Sequence, residues 1–274
     1  VPTDEAVAEL EMIVGFDDDL AGEATRISNR LRGLLTQIHP SLDRVLGPRL
    51  DHPAVLTMLE RFGPPAGLRK AGRRRLISLA RPKAPRMAER LVGDIFTALD
   101  EQSVVVPGTD AAALIVPSLA GSLRAVLDQR KVIEKRIEDL LEAHRLSKGL
   151  ISMPGIEVRN GARILIDVGD GSTFPRAAHL AAYAGLATVT RSSDSSIRGE
   201  HPARRGNKQL KRAFSLAAFA SLADPASRAH YDKKIAQGQH HTQAILCLAR
   251  RRVDVLFAML RDGTFYESRP AIPA

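Results

Sequence analysis

The chain has no tryptophan, three tyrosines and one cysteine among its 274 residues. With so few rings, binding of single strands on stacked aromatic platforms is not expected. The lone Cys247 excludes an internal disulfide framework and fits a reducing, cytoplasmic location. Its neighbours Ile245, Leu246 and Leu248 mark it as a buried packing residue. No apolar run approaches the ~20 residues of a membrane span, and the N-terminus lacks a basic-then-apolar signal pattern, so no membrane partner is expected. Metal-ligand spacing is missing too. His179 has no Cys or second His at zinc spacing and reads as a packing or capping residue. Successive helix residues point about 100° apart, so Asp17-Asp18-Asp19 cannot converge on one ion and reads as a solvated helix face.

What is present is positive charge. The net charge is +9 and the isoelectric point about 10.1, which favours an anionic partner. Eight cations fall within eighteen residues (Arg69, Lys70, Arg73, Arg74, Arg75, Arg81, Lys83 and Arg86), a density suited to a nucleic-acid backbone. The length leaves room for two domains at about 100–200 residues each.

Apolar periodicity is helical almost throughout. Leu10, Ile13, Val14, Leu20, Ala24, Ile27, Leu31, Leu34, Leu35 and Ile38 predict one helix from Asp4 to Ile38, ended by His39-Pro40. Prolines then cut the chain into short helices such as Pro53–Arg61 and Gly72–Ala80. A second long helix is predicted from about Ala111 to His144. Val126, Ile133 and Leu140 lie seven apart with Ile137 between, and Arg130 occupies the same seam, so the pattern fits either a coiled-coil-like pairing or an ordinary helix hairpin. The fold expected is mainly α: a helical, coiled-coil-like connector over 1–146, then a compact helical domain over 147–274.

Around Met153-Pro154-Gly155-Ile156 the chain reads as helix, tight turn, helix. This resembles a helix-hairpin-helix motif, in which backbone N–H groups beside Gly155, with Arg159 nearby, hold a phosphate. Glu157 stands where the motif commonly has its second glycine, so a purely structural hairpin stays open. A small-residue helix over Phe174–Ala187 follows, ending at Gly185. Next comes the segment from Arg191 to Lys208, where Ser192, Ser193, Asp194, Ser195 and Ser196 lie beside a dense run of cations. A hydroxyl nucleophile for a phosphodiester needs both features. Asn207 reads as the cap of a helix whose packed face is Leu210, Ala213, Phe214, Ala217, Ala218 and Ser221. Lys208, Lys211 and Arg212 lie off that face. Cations in a first turn oppose the helix dipole by a few tenths of a kcal/mol each, and a bound phosphate accounts for them.

Taken in order, Ser-Met-Pro-Gly-Ile, Phe-Pro-Arg-Ala-Ala-His-Leu-Ala-Ala-Tyr-Ala-Gly-Leu-Ala, Thr190-Arg191-Ser192-Ser193, Ser-Ile-Arg-Gly-Glu-His-Pro, Arg-Gly-Asn-Lys-Gln-Leu-Lys-Arg and Ala-Arg-Arg-Arg-Val-Asp-Val-Leu-Phe-Ala-Met-Leu resemble one bacterial family over essentially the whole chain. These are the insertion-sequence transposases that pair a DEDD-type nuclease-like domain with a C-terminal serine domain, related to the Piv invertases. The resemblance implies a DNA transposase or site-specific recombinase, directed in some branches by an element-encoded guide RNA and working as a homo-oligomer, dimer or tetramer. It places Ser193 at the nucleophile position, with Ser192, Ser195 and Ser196 as fallbacks. Arg191, Arg198, Arg204, Arg205, Lys208, Lys211 and Arg212 are then the phosphate contacts. Mg²⁺ is implied at an N-terminal acidic domain; no cofactor or metal site is expected in these residues. Because the chain opens Val1-Pro2-Thr3-Asp4 directly ahead of a helix, the expectation is that such a domain precedes it and that these residues alone do not recombine DNA. Asp194 departs from the family's usual glycine, and its charge beside the hydroxyl would repel a phosphate. Two rivals remain: a non-catalytic nucleic-acid-binding and oligomerisation module, and a metal nuclease, for which converging carboxylates are lacking.

Overall fold

A computed structural model describes residues 4–102, 106–192, 198–202 and 205–268, with backbone pairing alone for 188–192 and 198–202. Contacts divide the chain into two compact units, one made of Phe16–Ile133 and the other of Val1–Gly15 with Glu134–Ala274. The division falls inside two long helices, α1 (Asp4–Ile38) and α7 (Thr109–Glu142).

Between those helices the Phe16–Ile133 unit holds α2 (Pro40–Leu46), a 3₁₀ turn at Gly47–Arg49, α3 (Pro53–Phe62), α4 (Pro65–Ala71), α5 (Arg73–Ala80) and α6 (Ala88–Asp100). Pro40, Pro53 and Pro65 open their helices, where a missing N–H is no loss. His39 and His52 act as caps: their Nδ1 atoms accept the N–H of Leu42 (3.2 Å) and Ala54 (3.1 Å). Leu31, Leu35, Leu42, Leu56, Leu59, Leu68, Leu76, Val92 and Ile95 are buried in one core, each worth about 1.5–3 kcal/mol relative to exposure.

In α1, Leu10, Asp17, Ala24, Leu31 and Ile38 recur every seven residues, and all are buried. The reading of Asp17 as solvated is therefore corrected. Its carboxylate accepts two hydrogen bonds from Arg130 of α7, at 2.9 and 3.0 Å. Arg130 in turn stands in step with buried Val116, Leu123 and Ile137. The membrane expectation is also corrected in one respect. An 18-residue window of α7 has mean hydropathy 1.4, enough in length and composition for a span, because averaging absorbs the serines that interrupt any apolar run. In the structure Ala112, Val116, Ala120, Leu123 and Val126 of this helix line the core.

The other unit contains α8 (Ser147–Ser152), α9 (Val158–Val168), α10 (Ala177–Tyr183), a two-stranded antiparallel ribbon of β1 (Thr188–Ser192) and β2 (Arg198–Pro202), α11 (Lys208–Ala220), a 3₁₀ turn at Ser221–Ala223, α12 (Pro225–Ala236) and α13 (His241–Asp262). Helix α13 is the hub, packing against α8, α10, α11 and α12. Its Ala244, Leu248, Ala249, Val253 and Leu256 are buried, as is Phe214 of α11. Cys247 differs from expectation. It is half-buried one step off that stripe, and its thiol donates to Gln239 Oε1 at 3.4 Å. The helix expected over Phe174–Ala187 narrows to α10. Phe174 precedes it and packs on Tyr183, ring centroids 5.5 Å apart. His179 is exposed on α10, which has no side-chain cap, so it neither packs nor caps.

Candidate nucleic-acid interface

Asn207 caps α11 as expected, its Oδ1 accepting the N–H of Leu210 at 2.9 Å. It also docks the helix start onto α10. Its backbone N–H donates to the Tyr183 carbonyl (2.7 Å), and its Nδ2 to the Tyr183 hydroxyl (3.2 Å). Beside this contact the backbones of Gly185 and Gly206 touch. A Cβ on Gly206 (φ +116) would lie 2.7 Å from Gly185 N, and one on Gly185 (φ +66) would lie 2.8 Å from the Arg205 carbonyl oxygen. Only glycine tolerates both the positive φ and the approach. The chain thus leaves α10 at Gly185, forms the ribbon, and returns at Gly206 to the point it left.

The ribbon pairs Thr188 with Pro202, Thr190 with Glu200, Arg191 with Gly199 and Ser192 with Arg198. Opposed Cα atoms in such a ladder lie about 4.5–5.5 Å apart, so the backbones of Ser192 and Arg198 face each other at its end. Ser193, Asp194, Ser195 and Ser196, which connect the strands in sequence, lie outside the described residues, as does Arg204. At the ribbon's base Arg205, Lys208 and Arg212 are exposed and Lys211 is half-buried. The first turn of α11 contains no acid to offset them.

Over α8 and α9 the chain runs helix, turn, helix. Gly155 turns it at φ +78, and the close approach this permits is to α11: a Cβ there would lie 2.3 Å from the Ala217 carbonyl oxygen. The Pro154 carbonyl accepts a hydrogen bond from Arg252 of α13, itself 3% exposed. Burial lowers the Arg252 pKa to about 10, partly offset by the charges of Tyr266 and Asp224. Arg159 forms an ion pair with Glu134 at 3.4 Å. In the other unit the Arg69–Arg86 run is largely committed to structure. Arg69 pairs with Asp100 at 2.8 Å and Arg81 with Glu89 at 2.8 Å, Arg73 lies over Phe96 and Arg75 over Phe62. No group of three or more His, Cys, Asp or Glu side chains that could hold a metal occurs among the described residues. Their donor set therefore does not fit a Mg²⁺ site.

Residues 147–232, from α8 into α12, match the family model described as Transposase IS116/IS110/IS902 family. The chain is 67% identical over 268 residues to an insertion element IS110 uncharacterized 43.6 kDa protein of Streptomyces coelicolor, covering 97% of this chain and 66% of that one. It is 36% identical over 272 residues to an insertion element IS116 uncharacterized 44.8 kDa protein of Streptomyces clavuligerus, covering 98% and 67%. The chain belongs to the IS116/IS110/IS902 transposase family. A pilin gene-inverting protein of Moraxella bovis is similar over 129 residues, at 32% identity, covering 46% of this chain and 40% of that one. The chain spans about two thirds of the length of the insertion-element relatives.

Within the family stretch, reading the sequence locates the cap, the packed face of α11 and the cations. It misses the Gly185–Gly206 contact and the Tyr183–Asn207 bonds. Gly185 was readable as a helix end, but its partnership with Gly206 across the ribbon has no local signature.

Proposed function

We propose that this chain is the strand-exchange portion of a DNA transposase, in which Ser193 attacks a DNA phosphodiester. A bond forms between Ser193 Oγ and phosphorus, the bond to one ester oxygen breaks, and the serine proton ends on the departing oxygen. The resulting phosphoserine link is reversed when a second strand's hydroxyl attacks. Arg191, Arg198, Arg204, Arg205, Lys208, Lys211 and Arg212 neutralise the phosphates and the charge that builds in the transition state. Recognition of the target is delegated to an element-encoded guide RNA, and the working form is a homo-oligomer. Carboxylates holding Mg²⁺ belong to residues other than those described here.

The observation that carries this reading is the glycine clamp. It roots the ribbon, whose first strand leads in sequence to Ser193, beside the cation-rich first turn of α11, and this supports a nucleophile and phosphate contacts acting together. Preorganisation of that kind is what electrostatic catalysis requires. The test is Ser193→Ala in the intact transposase, read by recombination and by denaturant-stable protein–DNA adducts. Both should disappear while DNA binding persists. Undiminished adducts would sink the nucleophile assignment.

A further inference from the structure

Two of the chain's eleven Phe and Tyr rings meet around one histidine at the surface. Phe219 lies at the end of α11, Tyr231 within α12 and His241 at the start of α13. Phe219 meets His241 edge-on, with centroids 6.1 Å apart at 88°. Tyr231 meets the same imidazole at 5.6 Å and 70°, and its hydroxyl lies 2.7 Å from His241 Nδ1. Arg228 stands over Tyr231 at 5.8 Å, its charge shared with Asp232 at 3.0 Å. Interlocked rings are usually core. These are at the surface, with Phe219 56% and neighbouring Leu216 47% exposed.

Helical spacing links this cluster to the ribbon. Lys208, Arg212, Leu216 and Phe219 step by four, four and three residues, so they share one face of α11. That face presents cations beside the Gly185–Gly206 clamp and a ring about 16 Å further on, at 1.5 Å per residue. A ligand complementary to it must be anionic at one end and offer a flat apolar face at the other. A nucleic-acid strand does both, but only where a base is unpaired, because a base inside a duplex has both faces covered. We infer that this face of α11 carries an unpaired nucleotide strand away from the ribbon, its phosphates against Lys208 and Arg212 and a base stacked on Phe219. The inference rests on the reading above for the strand's position beside Ser193, while the stacking itself is independent of it. It also revises the expectation that ring stacking plays no part: three rings suffice when three helices bring them together.

The absence of tryptophan makes a direct test available. Phe219→Trp in this chain places its single tryptophan, which can be excited apart from the tyrosines, at the proposed platform. Its emission should be quenched by a short single-stranded DNA or by RNA of the same sequence, and the relative strength of the two identifies which strand is held. A duplex of that sequence should leave it unchanged. Phe219→Ala, checked for helix content by circular dichroism, should weaken single-strand binding by about five- to hundredfold, the range of one stacked base, and duplex binding far less. Ser193→Ala should leave the quenching intact, so failure of the nucleophile assignment and failure of this proposal are read separately. Emission unmoved by a single strand that demonstrably binds would overturn it. So would a Phe219→Ala protein with unaltered strand affinity but a smaller mass by light scattering, because the face would then be a contact between copies.

Discussion

Asp17 and Arg130 stand 113 residues apart in sequence and meet through paired hydrogen bonds, the aspartate side chain 7% and the arginine 22% exposed. Each interrupts an otherwise apolar seven-residue repeat in its own helix, α1 or α7. Their attraction therefore favours the one alignment of those helices in which the two charges coincide, because any slip would leave both in an apolar seam. Asp17→Ala takes both of these hydrogen bonds from a largely buried guanidinium, so it should lower the unfolding free energy by about 1.5–3 kcal/mol. Replacing both by leucine should restore most of that stability while relaxing the alignment. Urea midpoints at unchanged slope measure it. A loss below about 0.5 kcal/mol in Asp17→Ala would show that the pair is idle.

Gly206 and Gly185 are expected to be intolerant of even one methyl group. Gly206→Ala adds a Cβ 2.7 Å from backbone at φ +116, and strain of this kind amounts to about 1–3 kcal/mol. The strain falls at the ribbon's root and not in the α13 core. Melting temperature should fall modestly, proteolytic cleavage within 186–205 should rise, and recombination by the intact transposase should drop far more than its DNA affinity. Equal loss of affinity and turnover would mean that the clamp serves binding alone.

How much of this was written in the sequence depends on how far apart the touching residues lie along the chain. The end of α1 at Ile38 was readable to the residue, because its periodicity is continuous and His39-Pro40 stops it. The Asn207 cap and the buried face of α11 were readable for the same local reason. The ribbon was not foreseen. Thr188, Val189 and Thr190 carried a β-branched hint, but Arg198–Pro202 has strand character only by pairing. Asp17 was misjudged because a triplet of aspartates looks solvated until Arg130 arrives from α7. For the candidate site the residue types were legible and their assembly was not: the glycine contact and the three rings join elements that no window of sequence spans.

Acid should weaken the fold through two histidine acceptors, the cap His39 and the turn residue His144. The Nδ1 atoms of His39 and His144 accept the N–H groups of Leu42 and Leu146, each at 3.2 Å, which only neutral imidazole can do. Burial holds both below the ordinary histidine pKa. For His39 its own backbone hydrogen bond and Glu101 oppose the shift while Arg69 adds to it, and for His144 Arg145 adds to it. The folded pKa is thus below the unfolded value of about 6.5. The contribution of both acceptors is complete above that value and is lost as pH falls through the lower folded values. The His39 cap is worth about 1 kcal/mol, so the urea midpoint should drop between about pH 7.5 and pH 5. His39→Asn keeps an acceptor that does not titrate and should flatten part of that slope; an identical pH dependence in this variant would dismiss His39 as a source.

Cations used for phosphate and cations used for folding should separate under salt. Deleting one side chain that neutralises a phosphate reduces the slope of log affinity against log salt by about 0.7 on a single strand or about 0.9 on a duplex. Lys208→Ala and Arg212→Ala, at the exposed base of the ribbon, should each reduce it by about that much and leave the melting temperature nearly unchanged. Arg69→Ala breaks an ion pair to Asp100 at 2.8 Å and a hydrogen bond to the Leu99 carbonyl. It should lower stability and leave the salt slope where it was. The opposite assignment, with the slope falling in Arg69→Ala and constant in the α11 variants, would move the nucleic-acid surface to the Phe16–Ile133 unit.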